Sequence, residues 1–167
     1  MHMKCYNDSM IVLAIDPGYE RIGACIMEKG QGKEKVLFSS CIRTDKKKPL
    51  SERIFFLGKE VAALIESYKP EALATETLYF SANQKTAMGV AEARGVILYE
   101  ASKAGIPIYE YTPIQIKIAV TGYGKAAKAD VLKMTSLLVE LPKKKTLDDE
   151  IDAIAIGLTC FAREKFK

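Results

Sequence analysis

The chain has 167 residues, 49% hydrophobic and 28% charged, with a formal net charge of +4. That length suits one domain with a real core, and the composition excludes a disordered chain. Charge interrupts every apolar run before about 20 residues, so no membrane-spanning helix is expected.

Residues 1 to 9, "MHMKCYNDS", lack an apolar signal core and read as a flexible extension of a cytoplasmic protein. "MIVLAI" (10 to 15), "IGACIM" (22 to 27) and "KVLFSSCIR" (35 to 43) are apolar runs of strand length. Short turns carrying Gly18, Gly30 and Gly32 predict consecutive antiparallel hairpins. After the polar turn "TDKKKP", the apolar spacing at 54, 57, 61, 64 and 65 predicts a helix over Leu50 to Tyr68, ended by Lys69 and Pro70. "ALATE" (72 to 76) is a fourth, central strand. A second long helix follows from about Thr86 to Ala104, closed by Gly105.

"IPIYEY" (106 to 111) is a fifth strand, and the remainder is helical over about 113 to 120, 128 to 139 and 148 to 163. The expected fold is an α/β layered domain over residues 10 to 163, with a five-stranded mixed sheet, its first strand near the middle, and a short tail at 164 to 167.

His2 is the lone histidine, and it sits in the extension, which argues against histidine triads and HExxH zinc sites. Cys5, Cys25, Cys41 and Cys160 show no metal-ligand spacing and are expected to be reduced. Carboxylates, lysines or a metal must therefore carry any chemistry.

Asp16 ends the first strand at Pro17 and Gly18, and Glu76 ends the fourth. Parallel neighbouring strands would bring both acids to one sheet edge, where open α/β sheets commonly bind ligands. Read alone, each is an ordinary turn cap or surface acid. The last helix opens with "TLDDEIDAIAIGL". At about 100° per residue, Asp149 and Asp152 project about 60° apart on the apolar face, while Asp148 and Asp152 are about 40° apart. Geometry leaves open which aspartate joins Asp152; Glu150 is expected to point to solvent. Acids in a first turn also complement the helix dipole. Several clustered acids without histidine suit Mg²⁺, and two ions about 3.5 to 4 Å apart can promote phosphodiester hydrolysis.

In order along the chain, "AIDPG" (14 to 18), "ATETLYFSANQKTA" (74 to 87), "AEARGV" (91 to 96) and "DEIDAIAIGL" (149 to 158) resemble the motifs of the bacterial RuvC Holliday-junction resolvases, within the ribonuclease H-like superfamily. The resemblance spans residues 10 to 163. It implies a ribonuclease H-like fold with helices on both sheet faces. It also implies Mg²⁺-dependent paired cleavage of four-way DNA junctions in recombination and repair.

By that resemblance Asp16, Glu76, Asp149 and Asp152 are the catalytic, metal-binding acids, holding two Mg²⁺ per subunit for which Mn²⁺ can substitute, and Asp148 is a cap. Some relatives carry histidine in place of Asp149. Tyr79 corresponds to a base-stacking aromatic, for which a packed loop tyrosine is the plainer alternative. Lys117 and Lys128 resemble DNA-contacting lysines. Lys125, beside Gly122 and Gly124, joins them as an added phosphate contact suggested by local sequence. "TGYGKAAKAD" is not a P-loop, since Ala119 and Ala126 occupy its signature positions.

The family resemblance further implies a homodimer built on the helix after the second motif, with Ala87, Val90, Ala91, Arg94, Leu98 and Ala101 as candidate contacts, and the branch-migration proteins RuvA and RuvB as partners. The same stripe could instead pack on its own sheet. Three rival readings are a YqgF-like nuclease, an actin-like kinase half and a noncatalytic junction-binding module.

Overall fold

In the computed structural model, which describes residues 10–78, 84–141 and 146–166, the first hairpins form as the turn chemistry predicts. Strand β1 (Ile11–Asp16) pairs antiparallel with β2 (Arg21–Glu28), and β2 with β3 (Glu34–Arg43), with a bulge between Ile26 and Met27. Helix α1 (Leu50–Tyr68) follows and ends at Lys69, whose left-handed backbone (φ 47°) lets its N–H donate to the Ile65 carbonyl at 2.9 Å.

The chain returns as β4 (Ala72–Glu76), parallel to β1, then α2 (Gln84–Lys103), then β5 (Ile108–Tyr111), parallel to β4. Helix α3 (Pro113–Thr121) starts with Pro113 and a reciprocal cap. Gln115 N–H donates to Thr112 Oγ1 at 3.3 Å, while the Thr112 N–H donates to Gln115 Oε1 at 2.8 Å. This arrangement satisfies two amides that a helix start leaves unpaired. Helices α4 (Lys128–Leu138) and α5 (Asp148–Arg163) complete the order.

The sheet has six strands, not the expected five, in the order β5-β4-β1-β2-β3-β6. The sixth, β6 (Val139–Glu140), was read as the end of a helix. Val139 is buried and β-branched, and pairing it beside Glu34 of β3 satisfies backbone groups that would otherwise end the helix unpaired. The first strand lies third of six, inside the sheet as expected.

Strand alternation sends β1 side chains to two cores. Leu13 and Ile15 meet α1 and α2 through Leu57, Val61, Ala93 and Ile97. Val12 and Ala14 meet α5 and its neighbours through Ala153, Ile154 and Ile156. Helices thus cover both faces, and α5 is buried along nearly its whole length from Ala153 to Phe161. Two glycines permit that close docking: a Cβ on Gly23 would collide with the Asp149 carbonyl oxygen, and one on Gly157 with the Met27 sulfur.

On the opposite face, the Arg53 guanidinium is only 4% exposed. It donates to the Tyr19 carbonyl at 2.5 Å and to Thr44 Oγ1 at 3.0 and 3.1 Å. One buried cation therefore fastens the turn after β1 to the turn after β3. Ala101, a candidate dimer contact, is fully buried in the α1 and α2 core, and Leu98 packs against it. That part of the stripe serves its own sheet. No described helix is long and apolar enough to cross a membrane.

Candidate active site

Asp16 and Glu76 are the final residues of β1 and β4, and the parallel register Ile15 to Thr75 sets their backbones side by side. Both follow strands buried on each face, so each carboxyl stands where the apolar run meets the cleft. Alternation directs both toward α5, because Ala14 and Ala74, two residues earlier, lie in the core that α5 covers. The first turn of α5 crosses this edge, seated close by Gly23.

Asp16, Glu76 and Asp152 line one cleft of about 210 Å³, with Lys117 and Lys128 among its other walls. Lys128 Nζ donates to Asp152 Oδ2 at 3.0 Å. Asp149 sits beside the cleft, its carboxylate ion-paired with Arg21 at the start of β2. Lys125 is exposed and is not part of the cleft wall. Tyr79 lies outside the described residues, as does the extension at 1 to 9.

The electrostatics follow from the crowding. Burial pushes the Asp16 carboxyl up to about 8, and Glu76, Asp152 and Asp149 add to the shift in that order. Burial, then Asp152, pushes Glu76 up to about 6. The hydrogen bond to Asp152 holds the Lys128 ammonium above its usual range. Negative charge thus accumulates in a desolvated place with incomplete compensation.

Among the described residues, no three His, Cys, Asp or Glu side chains are close enough together to hold one metal ion. The reason is visible: Arg21 draws Asp149 aside and Lys128 holds Asp152, so the carboxylates are separated by internal counter-ions. The donor set nevertheless fits a hard divalent cation, being all oxygen and in excess negative charge, with Asp149 and Asp152 still 24% and 29% exposed.

Two features escaped the sequence. Glu150 is buried, 4% exposed, and not solvated as expected; its carboxylate accepts from Ser39 Oγ at 2.5 Å. It lies one turn before Ile154 on a helix enclosed on most sides, so this carboxylate meets β3 instead of water. Arg21 was read only as the end of a turn. Its signal was the short hairpin itself, which returns the chain beside Asp16 within five residues.

With the geometry established, similarity to known proteins is extensive. Residues 12–160 match the family model described as crossover junction endodeoxyribonuclease RuvC. A protein of that description from Petrotoga mobilis is 46% identical over 158 residues, covering 95% of each chain. Among solved structures, Thermus thermophilus RuvC superposes with a TM-score of 0.82 at 33% identity, covering 90% of this chain and 92% of that one. The structure described as T. thermophilus RuvC in complex with Holliday junction substrate gives 0.84 at 33% identity, covering 92% and 93%.

Proposed function

Because the chain belongs to the RuvC family of crossover junction endodeoxyribonucleases, we propose that it resolves four-way DNA junctions through Asp16, Glu76, Asp149 and Asp152. The observation that carries this reading is the meeting of Asp16 and Glu76, on adjacent parallel strand ends, with Asp152 of α5 in one cleft. The three acids come from distant parts of the chain, and no cap or surface role accounts for that convergence.

These four carboxylates would hold two Mg²⁺ per subunit, with Mn²⁺ able to substitute. When bound, the ions supply an activated water on one side of a phosphodiester and charge stabilisation for the leaving oxygen on the other. The chain's own residues do the rest. Asp16 and Glu76 fix one side of the cleft because their strands are rigid and buried. Asp149 and Asp152 approach from α5, whose first turn is held down by the Glu150 bond to Ser39.

Lys117 and Lys128 flank the acids on α3 and α4, where ammonium groups can anchor the phosphates on either side of the cut. Lys128 has a second duty: its bond to Asp152 balances that acid until a phosphate competes for the ammonium. Lys125 is exposed on the loop before α4 and is suited to a neighbouring phosphate. Tyr79 keeps the base-stacking role that the family resemblance implies.

Symmetric cleavage of a junction suits a homodimer. The outward side of α2 supports one, since Met88 and Tyr99 are exposed there beside Phe55 of α1. RuvA and RuvB are the partners to test for junction delivery in the cytoplasm.

The deciding experiment supplies a synthetic four-way junction and a linear duplex with Mg²⁺. Paired symmetric nicks confined to the junction, absent in Asp16→Asn, are expected. Equal cutting of both substrates, or full activity in Asp16→Asn, would reject the reading.

A further inference from the structure

Arg21 and Arg43 face each other directly across the β2 and β3 ladder. Like charges in that position destabilise an antiparallel pair. Asp149 neutralises Arg21, whereas Arg43 is exposed and has no acidic partner among the described residues. The next residues add to the excess: positions 43 to 48, "RTDKKK", hold four cations and one acid. Lys46, Lys47 and Lys48 are all exposed. Asp45 accepts from the Lys47 N–H in the turn, and Lys48 reaches Glu52 at 3.9 Å.

The placement of this patch is specific. Strand β3 runs parallel to β1, so its last residues reach the same sheet edge as Asp16. Alternation puts Arg43 and Arg21 on the α5 face, because Cys25 and Met27 of β2 lie in the core that α5 covers. At about 4.8 Å per strand, β3 stands about 10 Å from β1 along that edge. Lys117 and Lys128 occupy the other side of the acids. Cations therefore bracket the carboxylates along one line across the sheet.

The patch is also held firmly. Thr44 N–H donates to the Glu20 carbonyl at 3.0 Å, and Arg53 ties Thr44 to Tyr19. The spacing between the basic turn and the acid-bearing edge is fixed before any ligand arrives.

We infer that Arg43 and the turn Lys46 to Lys48 form a second phosphate-binding patch, which grips the duplex arm of the junction on the side of the acids away from Lys117 and Lys128. A duplex arm fits because its phosphates repeat along a line long enough to pass from the lysines, over the acids, to this turn. The inference rests on the nuclease reading proposed above, which supplies the DNA.

The test measures junction binding by fluorescence anisotropy in EDTA across a range of salt. Replacing Arg43, Lys46, Lys47 and Lys48 together with Gln is expected to weaken binding to junction and linear duplex alike. It should reduce the slope of log affinity against log salt by about 2, near 0.9 per lost phosphate contact. Arg43→Gln alone should give a smaller loss and Arg43→Lys should retain wild-type binding, which guards against a fold defect in the combined variant. Lys33→Gln, on the hairpin turn at the opposite sheet edge, should change nothing.

Wild-type affinity and slope in the combined variant would overturn the patch; if Lys117→Gln with Lys128→Gln then still flattened the slope, the nuclease reading would stand without it. A loss confined to single strands would overturn the duplex-arm assignment. Wild-type protein that binds no DNA at all would overturn both.

Discussion

Lys128 Nζ stands 3.0 Å from Asp152 Oδ2 and joins α4 to α5 across the mouth of the acidic cleft. The lysine side chain is 65% exposed, so the pair contributes at most about 1 kcal/mol to stability. Lys128→Gln should therefore shift the melting temperature by no more than about 4 °C. If the ammonium engages DNA phosphate, junction affinity should fall and the salt slope should drop by about 1. A large loss of stability with an unchanged slope would identify a structural strut instead.

Metal-free protein should lose stability as pH rises. The Asp16 carboxyl is raised from 3.8 to about 8 in the folded chain, and Glu76 from 4.5 to about 6. Their folded forms bind protons more tightly than the unfolded chain does, so this contribution is full below about pH 4 and disappears as pH passes through about 6 and then about 8. Melting in chelator from pH 5 to pH 9 should show the decline. Asp16→Asn should flatten it and melt several degrees above wild type at pH 8.5, while abolishing cleavage. Saturating Mg²⁺ should stabilise wild type, by about 2.7 kcal/mol at one hundred times its dissociation constant.

Neighbouring acids on α5 should separate by phenotype. Glu150→Ala leaves the buried Ser39 hydroxyl without its 2.5 Å carboxylate partner, at a cost of about 1 to 3 kcal/mol. Asp149→Asn keeps the volume on a partly exposed position and should preserve stability within about 1 kcal/mol while removing Mg²⁺-dependent cleavage. Paired melting and cleavage measurements on the two variants check this division; the reverse pattern would mean that the roles were exchanged.

Gly23→Ala should damage the site without altering any charged group. The added methyl meets the Asp149 carbonyl oxygen, so the first turn of α5 must lift from β2. Overpacking of this kind costs about 1 to 3 kcal/mol. Cleavage should fall more steeply than junction binding, because Asp149 and Asp152 move with the helix while Lys117 on α3 stays. Unchanged cleavage would show that the α5 contact tolerates displacement.

Much of this arrangement was legible from residues alone. Asp16 and Glu76 were placed together because each ends an apolar strand, and the parallel pairing of β1 with β4 is what an intervening helix requires. Asp149 and Asp152 followed from helical angle, once the family resemblance chose between Asp148 and Asp149. Glu150 was misread because angle gives direction but not what waits there, and Ser39 lies 111 residues away. The strand β6 was missed because two residues carry no periodicity, and only Glu34 and Lys35 across the sheet define it. Arg21 could not be assigned to Asp149 before α5 was docked on β2.

The buried bond between Glu150 and Ser39, and the seat that Gly23 provides, tie α5 to strands made more than a hundred residues earlier. During synthesis, a chain that has emerged only through β4 carries Asp16 and Glu76 but neither of their partners. DNA-cutting capacity is therefore withheld until the last described helix has left the ribosome and closed onto the sheet. Fragments that end early are harmless to the chromosome by construction, since completing the fold and arming the enzyme are the same event.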